Sequence, residues 1–432
     1  MKEIRLLLLC FSVLFIGCRQ QKIVGVQQMK DETLIHDSFR VETDKIFDKL
    51  VEIRRDFHKY PEVAGKEKRT QAVLKKYLLD LGLQVKTDIY GYGIVGILEG
   101  AKKGKKIAWR ADMDALPNDF PDEVDFKSKI KGVQHGCGHD VHMAIALGIA
   151  EILAKNKKSL HGTVYFIFQP EEETFVGANA MINNGLFSEI HPDEIYGLHV
   201  TPALVGQILV KPNEMFAYQK RVQIKFRDEL TDEQIKELTS KIHASLSRVK
   251  AGSKPWEIQH IIDLQIGLVN PNSIFKDYLI MDENFVRHSE NNELFLETYL
   301  YETNPDNLKD IIPKIKQVIK SNNYEDKLIS FLFTQENPTV VNDKKLTDIA
   351  AETLNRIVGE NTITTNYGQV PYSNDDFAYF QQKIPGVYFF LGASNFEKGI
   401  IAMMHAPNFA VDEDCIKVGV KSFSSLIFER LK

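Results

Sequence analysis

Cysteine is scarce in this chain, four in 432 residues, and that density excludes a scaffold stapled by disulfides. No basic run stands out. Lys plus Arg (54) fall below Asp plus Glu (59), for a formal net charge of −5 and a pI ≈ 6.2, so a nucleic acid is not an expected partner. No apolar run approaches the roughly 20 residues that a membrane-spanning helix needs, which excludes a multi-spanning membrane protein. Internal repeats and low-complexity tracts are also missing. What is present is ordinary globular material, 44% hydrophobic and 26% charged, long enough for two or three domains with a sizeable core.

The first segment reads as an address rather than as structure. Lys2 and Arg5 form a short basic region, and Leu6 to Ile16 is apolar but too short to cross a bilayer. It ends at Gly17-Cys18 and resembles the bacterial lipobox, in which the cysteine is lipidated and becomes the new N-terminus. On this reading residues 1–18 carry a lipoprotein signal peptide with Cys18 as the lipidation site, and 19–36 is a polar tether. The mature protein is then expected at the bacterial cell envelope, held to a membrane by its lipid anchor and facing the periplasm or the exterior. Cys10 leaves with the signal, so Cys137 and Cys415 remain beside the acylated Cys18.

Further along, helices and strands alternate. Helical spacing runs over Phe39–Tyr60, Glu67–Leu81 and Val141–Ala154. Short β-rich runs lie at Lys106–Ala111, Thr163–Phe168, Glu194–Val200 and Gly386–Leu391. This rhythm predicts an α/β domain built on a mostly parallel sheet with helices on both faces. Between about 217 and 333 the pattern changes to βαββαβ, which is ferredoxin-like α+β. Its strands are Arg221–Phe226, Ile261–Leu268, Leu294–Tyr301 and Leu328–Phe333. Its first helix opens on the capping box Thr231-Asp-Glu-Gln234. The expected domains are thus an α/β domain in two parts, 37–213 and 339–432, with a second domain, 214–338, inserted between them. Gly91-Tyr-Gly-Ile-Val-Gly96 matches a dinucleotide fingerprint in spelling, but no helix follows it, so a turn is expected.

Residues with metal-binding chemistry gather at the ends of the predicted strands. Asp112 and Asp114 follow the first. His135, Cys137, His139, Asp140 and His142 precede the apolar helix. Glu171, Glu172 and Glu173 follow the second strand, His199 closes the third, and His405 follows the last. In an open α/β sheet, ligands bind beyond the carboxyl ends of the strands. Thiolate, imidazole and carboxylate suit zinc and similar divalent ions, and several carboxylates brought together need cations. Each element alone has a plainer reading, as a turn, a solvated face or a core histidine; their order on successive strand ends is what speaks for a metal site.

The motifs that carry these residues are Trp109–Pro117 (WRADMDALP), His135–Asp140 (HGCGHD), Phe168–Glu173 (FQPEEE), Gly197–Val200 (GLHV) and His405-Ala-Pro407. Together they resemble the successive signatures of the aminoacylase and hippurate-hydrolase branch of the co-catalytic zinc metallopeptidases, the N-acyl-amino-acid amidohydrolases. Arg54–Glu62 (RRDFHKYPE), Asp375–Phe380 (DDFAYF) and Pro385–Ala393 (PGVYFFLGA) resemble further motifs of that branch.

The resemblance implies two divalent metal ions per chain (Zn, Mn, Co or Ni). Cys137 would bridge them, and His139, Glu173, His199 and His405 would be the other ligands. It implies Glu172 as general base and Asp114 as the carboxylate that orients a ligand imidazole. Asp112 is left in doubt, Glu171 is a bystander, and His58, His135 and His142 are structural. The implied reaction is hydrolysis of the amide bond of an N-acyl-amino acid or short peptide. A dipeptidase or carboxypeptidase with the same centre is the near alternative, and a ligand-binding lipoprotein without turnover the distant one. The insert would act as a lid and pair two copies as a homodimer.

Two departures concern the insert. The histidine-bearing loop that follows its first strand in relatives is cut to Arg227-Asp-Glu-Leu230, and Val269-Asn-Pro271 is at best a remnant of another motif. Asp375 stands where relatives carry glutamate. The remaining insert histidines are His243, His260 and His288. None stands in a glycine-rich loop, so each is expected at the surface; if a replacement donor to the reacting carbonyl exists, His288 and Arg287 are the candidates, with Arg248 a candidate partner for a substrate carboxylate.

One prediction follows from the N-terminal segment. Cys18→Ser should move the protein from the membrane to the soluble fraction, or block its processing. An unmodified, fully soluble wild type by mass spectrometry would contradict the anchor.

Overall fold

The computed structural model describes residues 34–432 apart from 228–229, 250–262, 264, 266, 269, 271 and 360–361. Cys18, His260, Val269 and Pro271 therefore lie outside the described residues. Residues 34–36, expected in the tether, are already helical; one helix covers 34–59, and His36 bonds Glu429 from inside it.

The main sheet has eight strands: β1 (Gln84–Thr87), β2 (Ile94–Glu99), β3 (Lys102–Asp112), β4 (His161–Gln169), β5 (Glu194–Leu204), β6 (Ile208–Leu209), β14 (Ile363–Thr364) and β15 (Gly386–Ser394), in the order β1-β2-β4-β3-β5-β15-β6-β14. β3 pairs in parallel with β4 and β5, and β5 with β15, so the centre is parallel as expected; β1, β2 and the β6–β15 pairing are antiparallel. The apolar strands read as near-continuous runs because both faces are buried. Alternate residues go to different cores. Trp109, Phe166, Leu198 and Phe389 meet the helices 34–59, Lys68–Asp80, His139–Lys155, Lys344–Val358 and Asp414–Arg430. Ala108, Tyr165, Ile195 and Tyr388 meet the shorter helices Gly177–Asn183 and Phe377–Gln381. Gly91 sits in a turn closed by Gly93 N–H to the Tyr90 carbonyl at 2.9 Å, as the glycine pattern without a helix predicts.

β7 (Asn213–Glu214) pairs with β13 (Val341–Asn342), so the chain leaves for the insert and returns from it side by side. The insert sheet comprises β8 (Tyr218–Arg227), β9 (Leu279–Met281), β10 (Val286–Glu290), β11 (Glu293–Glu302) and β12 (Leu328–Gln335), in the order β10-β11-β8-β12 with β9 on β11. Helices Asp232–Leu246 and Leu308–Ser321 cover one face through Ile235, Leu238, Ile242, Ile311 and Ile315. The expected Thr231 capping box is present. This is the ferredoxin-like order with one correction. Among the described residues the second strand is β10; Ile261, Ile262, Leu264 and Ile266 of the expected strand lie outside them. Of that segment the described residues form turns, and Leu268 packs into the catalytic domain's second core. The hairpin β10–β11 turns on Asn291 and Asn292, both left-handed (φ 51° and 61°), as a two-residue turn of this kind requires.

The helices His139–Lys155 and Asp414–Arg430 approach closely at two glycines. A Cβ on Gly148 would lie 2.4 Å from Val420 Cγ2 and 2.8 Å from Leu50 Cδ1. Alanine gains up to about 1 kcal/mol in helix propensity, but overpacking costs about 1–3 kcal/mol, and the stiff β-branched Val420 yields little. Gly148→Ala should therefore lower the apparent Tm, and an unchanged or raised value in thermal denaturation would show that the interface relaxes.

Candidate metal centre

Five segments converge at the carboxyl end of the central strands. Cys137 and His139 flank Gly138, whose φ of 99° opens the helix at His139. A Cβ there would sit 2.4 Å from Val200 Cγ2, so only glycine allows the thiol and the imidazole to face the same space. Cys137 Sγ lies 3.3 Å from His199 Nε2 and 3.2 Å from His405 Nε2. Glu173 Oε2 is 3.3 Å from His405 Nε2, and Glu173 Oε1 is 3.7 Å from His139 Nε2. Glu172 Oε2 is 3.7 Å from the same His139 nitrogen. All six side chains expected at the reaction centre by type and position are thus gathered, with Asp114 beneath them.

The hydrogen bonds fix the tautomers. His139 Nδ1–H donates to the Asp114 carbonyl at 2.8 Å, and His199 Nδ1–H to the Val200 carbonyl at 2.7 Å. Both rings therefore turn Nε2 toward Cys137 and Glu173, the nitrogen a ligand imidazole offers. Burial, with His142 adding, holds His199 well below the usual histidine range, so it is neutral. Two buried atoms in the cluster, His139 Nε2 and Glu173 Oε1, have no hydrogen-bond partner. Burial and the neighbouring Glu173, Glu172 and Asp112 push the Cys137 thiol far up. Burial opposes charge on His139, yet Asp112, Asp114 and Glu173 outweigh it and raise the ring to about 10. Protons thus stand where cations would be better placed. Orphaned nitrogen and oxygen, a buried thiol and an excess of carboxylate are the donor set that divalent cations of borderline softness take. The groups Cys137–His139–His199, Cys137–Glu173–His405 and His139–Glu172–Glu173 each bring their ligand atoms within 4.8 Å of one another.

Asp114 departs from expectation in detail. Its carbonyl orients His139, with the carboxylate 3.5 Å from that ring. The carboxylate instead accepts the backbone amides of Glu172 and Glu173, at 3.1 and 3.0 Å. Asp112, left in doubt by the sequence, is fully engaged. It takes His142 Nδ1–H at 2.6 Å and Arg110 at 2.6 Å. His142 in turn accepts the Val200 amide at 3.0 Å, a structural role as expected. His58 bonds Asp140 at 2.8 Å and Asp122 at 3.1 Å, and His135 is buried.

Arg110 is the functional-site residue to which sequence reading gave no role. Its side chain has no exposed area, and it pairs with Asp112, Asp375 and Asp376 at 2.6, 3.0 and 3.1 Å. Gln169 bridges it to Asp376, and Tyr388 donates to Asp375. The available signal was an arginine inside the apolar strand IAWRA.

The insert residues proposed as replacements are committed elsewhere. Arg248 pairs with Asp277 and Glu302, both at 2.7 Å, so it is not free for a substrate carboxylate. Arg287 pairs with Asp232 at the helix start, and His288 is exposed and stacked on Phe295 at 4.5 Å.

The sequence pattern of Peptidase family M20/M25/M40 matches residues 108–429. Thermostable carboxypeptidase 1 of Saccharolobus solfataricus is 32% identical over 396 residues, covering 88% of this chain and 95% of that protein. N-acetylcysteine deacetylase of Bacillus subtilis is 29% identical over 390 residues, 89% of this chain and 97% of that one. Among solved structures, a dinuclear metal-binding peptidase of the M20 family from Bacillus subtilis superposes with a TM-score of 0.72 at 24% identity, covering 90% of this chain and 99% of that one.

The donor geometry predicts that the purified protein carries about two divalent ions and that EDTA removes them. Cys137→Ala should lose most of this metal by elemental analysis; full stoichiometry in that variant would refute the bridging thiol.

Proposed function

The chain belongs to peptidase family M20/M25/M40, and from that membership we propose that it is a metal-dependent hydrolase releasing an amino acid from an N-acyl conjugate or a short peptide. The observation that carries this reading is the pairing of Glu172 and Glu173. One side chain reaches the ligand cluster, the other stands beside it, and the amides of both are pinned by one carboxylate. A protein that merely bound a substrate would need Glu173 but not Glu172.

Cys137, His139, Glu173, His199 and His405 would hold the two ions. When bound, these cations supply the positive charge that polarises the scissile carbonyl and acidifies a water. Glu172 is the base that takes the water's proton and hands it to the leaving amine. Its site suits a proton carrier: burial, with Asp375 and Glu173 adding, raises its carboxyl well above the usual range. The carboxylates of Asp375 and Asp376 do not compete for the water, because Arg110 holds both.

Relatives on both sides of the substrate question, a carboxypeptidase and a deacetylase, cover most of this chain. N-acetyl amino acids, N-benzoyl amino acids and dipeptides are therefore the panel that assigns the acyl side. We also place the protein at the bacterial envelope through Cys18, a reading supported by the basic region, the short apolar run and the Gly17-Cys18 junction. Pairing of two copies through the insert belongs to the same proposal.

Glu172→Gln keeps the shape but cannot take a proton. It should lower kcat by about 10²–10⁴ while metal content stays at the wild-type level. Near-normal turnover in Glu172→Gln, with Glu171→Gln inactive, would move the base by one residue.

A further inference from the structure

Three consecutive backbone amides at the centre point to two buried carboxyls. Those of Glu172 and Glu173 go to Asp114. The third, from Glu171, goes to Glu67 Oε1 at 3.1 Å, and the same oxygen also accepts the Gly65 amide at 3.0 Å. Glu67 stands immediately before the helix Lys68–Asp80, is 0% exposed, and its Oε2 has no hydrogen-bond partner. The mechanism above makes no use of it.

Glu171 is where the geometry of the catalytic turn is decided. Its φ is +57°, a left-handed conformation rarely adopted by a residue with a side chain. Its carbonyl accepts the amides of Val176 and Gly177, at 3.3 and 3.1 Å, and the Thr174 hydroxyl at 3.1 Å. The turn itself thus satisfies the carbonyl side of Glu171. The amide side has one partner, Glu67, and it reaches in from a helix more than a hundred residues earlier in the chain. Released from Glu67, this peptide could rotate, and the rotation would redirect the next two side chains.

We propose that Glu67 is a positioning residue: by holding the Glu171 amide it sets the left-handed turn that aims Glu172 and Glu173. This rests on the reading of Glu172 as base. What the site requires of Glu67 is an acceptor at Oε1 that serves two amides. Burial pushes its carboxyl up to about 7 against the pull of the amide bonds, the Asp114 carboxylate adding to the rise. A glutamine, with the same acceptor and an uncharged second group beside Asp114, therefore mimics the protonated form.

The experiment compares wild type with Glu67→Ala, Glu67→Asp and Glu67→Gln. It uses the best substrate of the amide panel, elemental analysis, and hydrogen–deuterium exchange over residues 168–177. A misplacement of about 1 Å can cost about 10² in rate. Glu67→Ala is expected to lower kcat by about 10–100-fold with KM little changed and metal retained, and to speed exchange at 171–173 by about tenfold or more. Glu67→Asp, one methylene short, follows it. Glu67→Gln keeps slow exchange and at least about a third of kcat. Wild-type kcat and exchange in Glu67→Ala would overturn the proposal, and so would a Glu67→Gln as impaired as Glu67→Ala. If Glu67→Ala does not fold, equal values for the Asp and Gln variants overturn it. A wild type without amide turnover defeats the functional reading alone, and the exchange comparison still decides the role of Glu67.

Discussion

A carboxylate taken out of water costs several kcal/mol unless positive charge meets it, and this chain buries Asp112, Asp114, Glu172, Asp375 and Asp376 at one end of one sheet. Arg110 meets three of them. Asp114 is held by two backbone amides instead. What remains unmet is concentrated on Glu172, Glu173 and the thiol of Cys137. The fold thus divides its negative charge into a part that the protein neutralises itself and a part left for cations from outside. Arg110, fully buried in the strand, supplies the first part.

The same division explains why each ligand side chain has so little freedom. His199 lies within β5, a glycine that no other residue can replace sets Cys137 and His139, the turn at Glu171 carries Glu173, and a left-handed His405 (φ 55°) completes the set. Every imidazole in the cluster whose far nitrogen is bonded uses a backbone carbonyl or a buried carboxylate. The ring orientations are therefore properties of the sheet rather than of the loops above it.

Much of the fold was legible because β3, β4, β5 and β15 are buried on both faces, and such strands announce themselves as apolar runs. That these polar side chains would gather was legible for a related reason: polar residues at the ends of such strands have few structural uses. The strand β10 was not legible. All five of its residues are exposed, so it shows neither alternation nor an apolar run, and Asn291-Asn292 was the one signal for its hairpin. Of the apolar run Ile261–Leu268, Leu268 packs into the second core of the main domain, and Ile261, Ile262, Leu264 and Ile266 lie outside the described residues. Glu67 and the split role of Asp114 lay beyond sequence reading, since both act through backbone amides far along the chain.

β15 pairs with β5 in parallel, Gly386 opposite Ile195 and Phe390 opposite His199. The whole insert is therefore translated between two strands that must lie side by side. Until β15 leaves the ribosome β5 keeps one unpaired edge, and neither His405 nor the helix Asp414–Arg430 has been made. The insert sheet has its partners earlier: β8 pairs with β11 and β12, all of which precede β15. Synthesis thus completes the insert's sheet before it completes the main one. The Cys137 thiol stays uncovered for as long as the ribosome takes to read the insert and the strand beyond it, and protection of that thiol is a matter of elongation time as well as of packing.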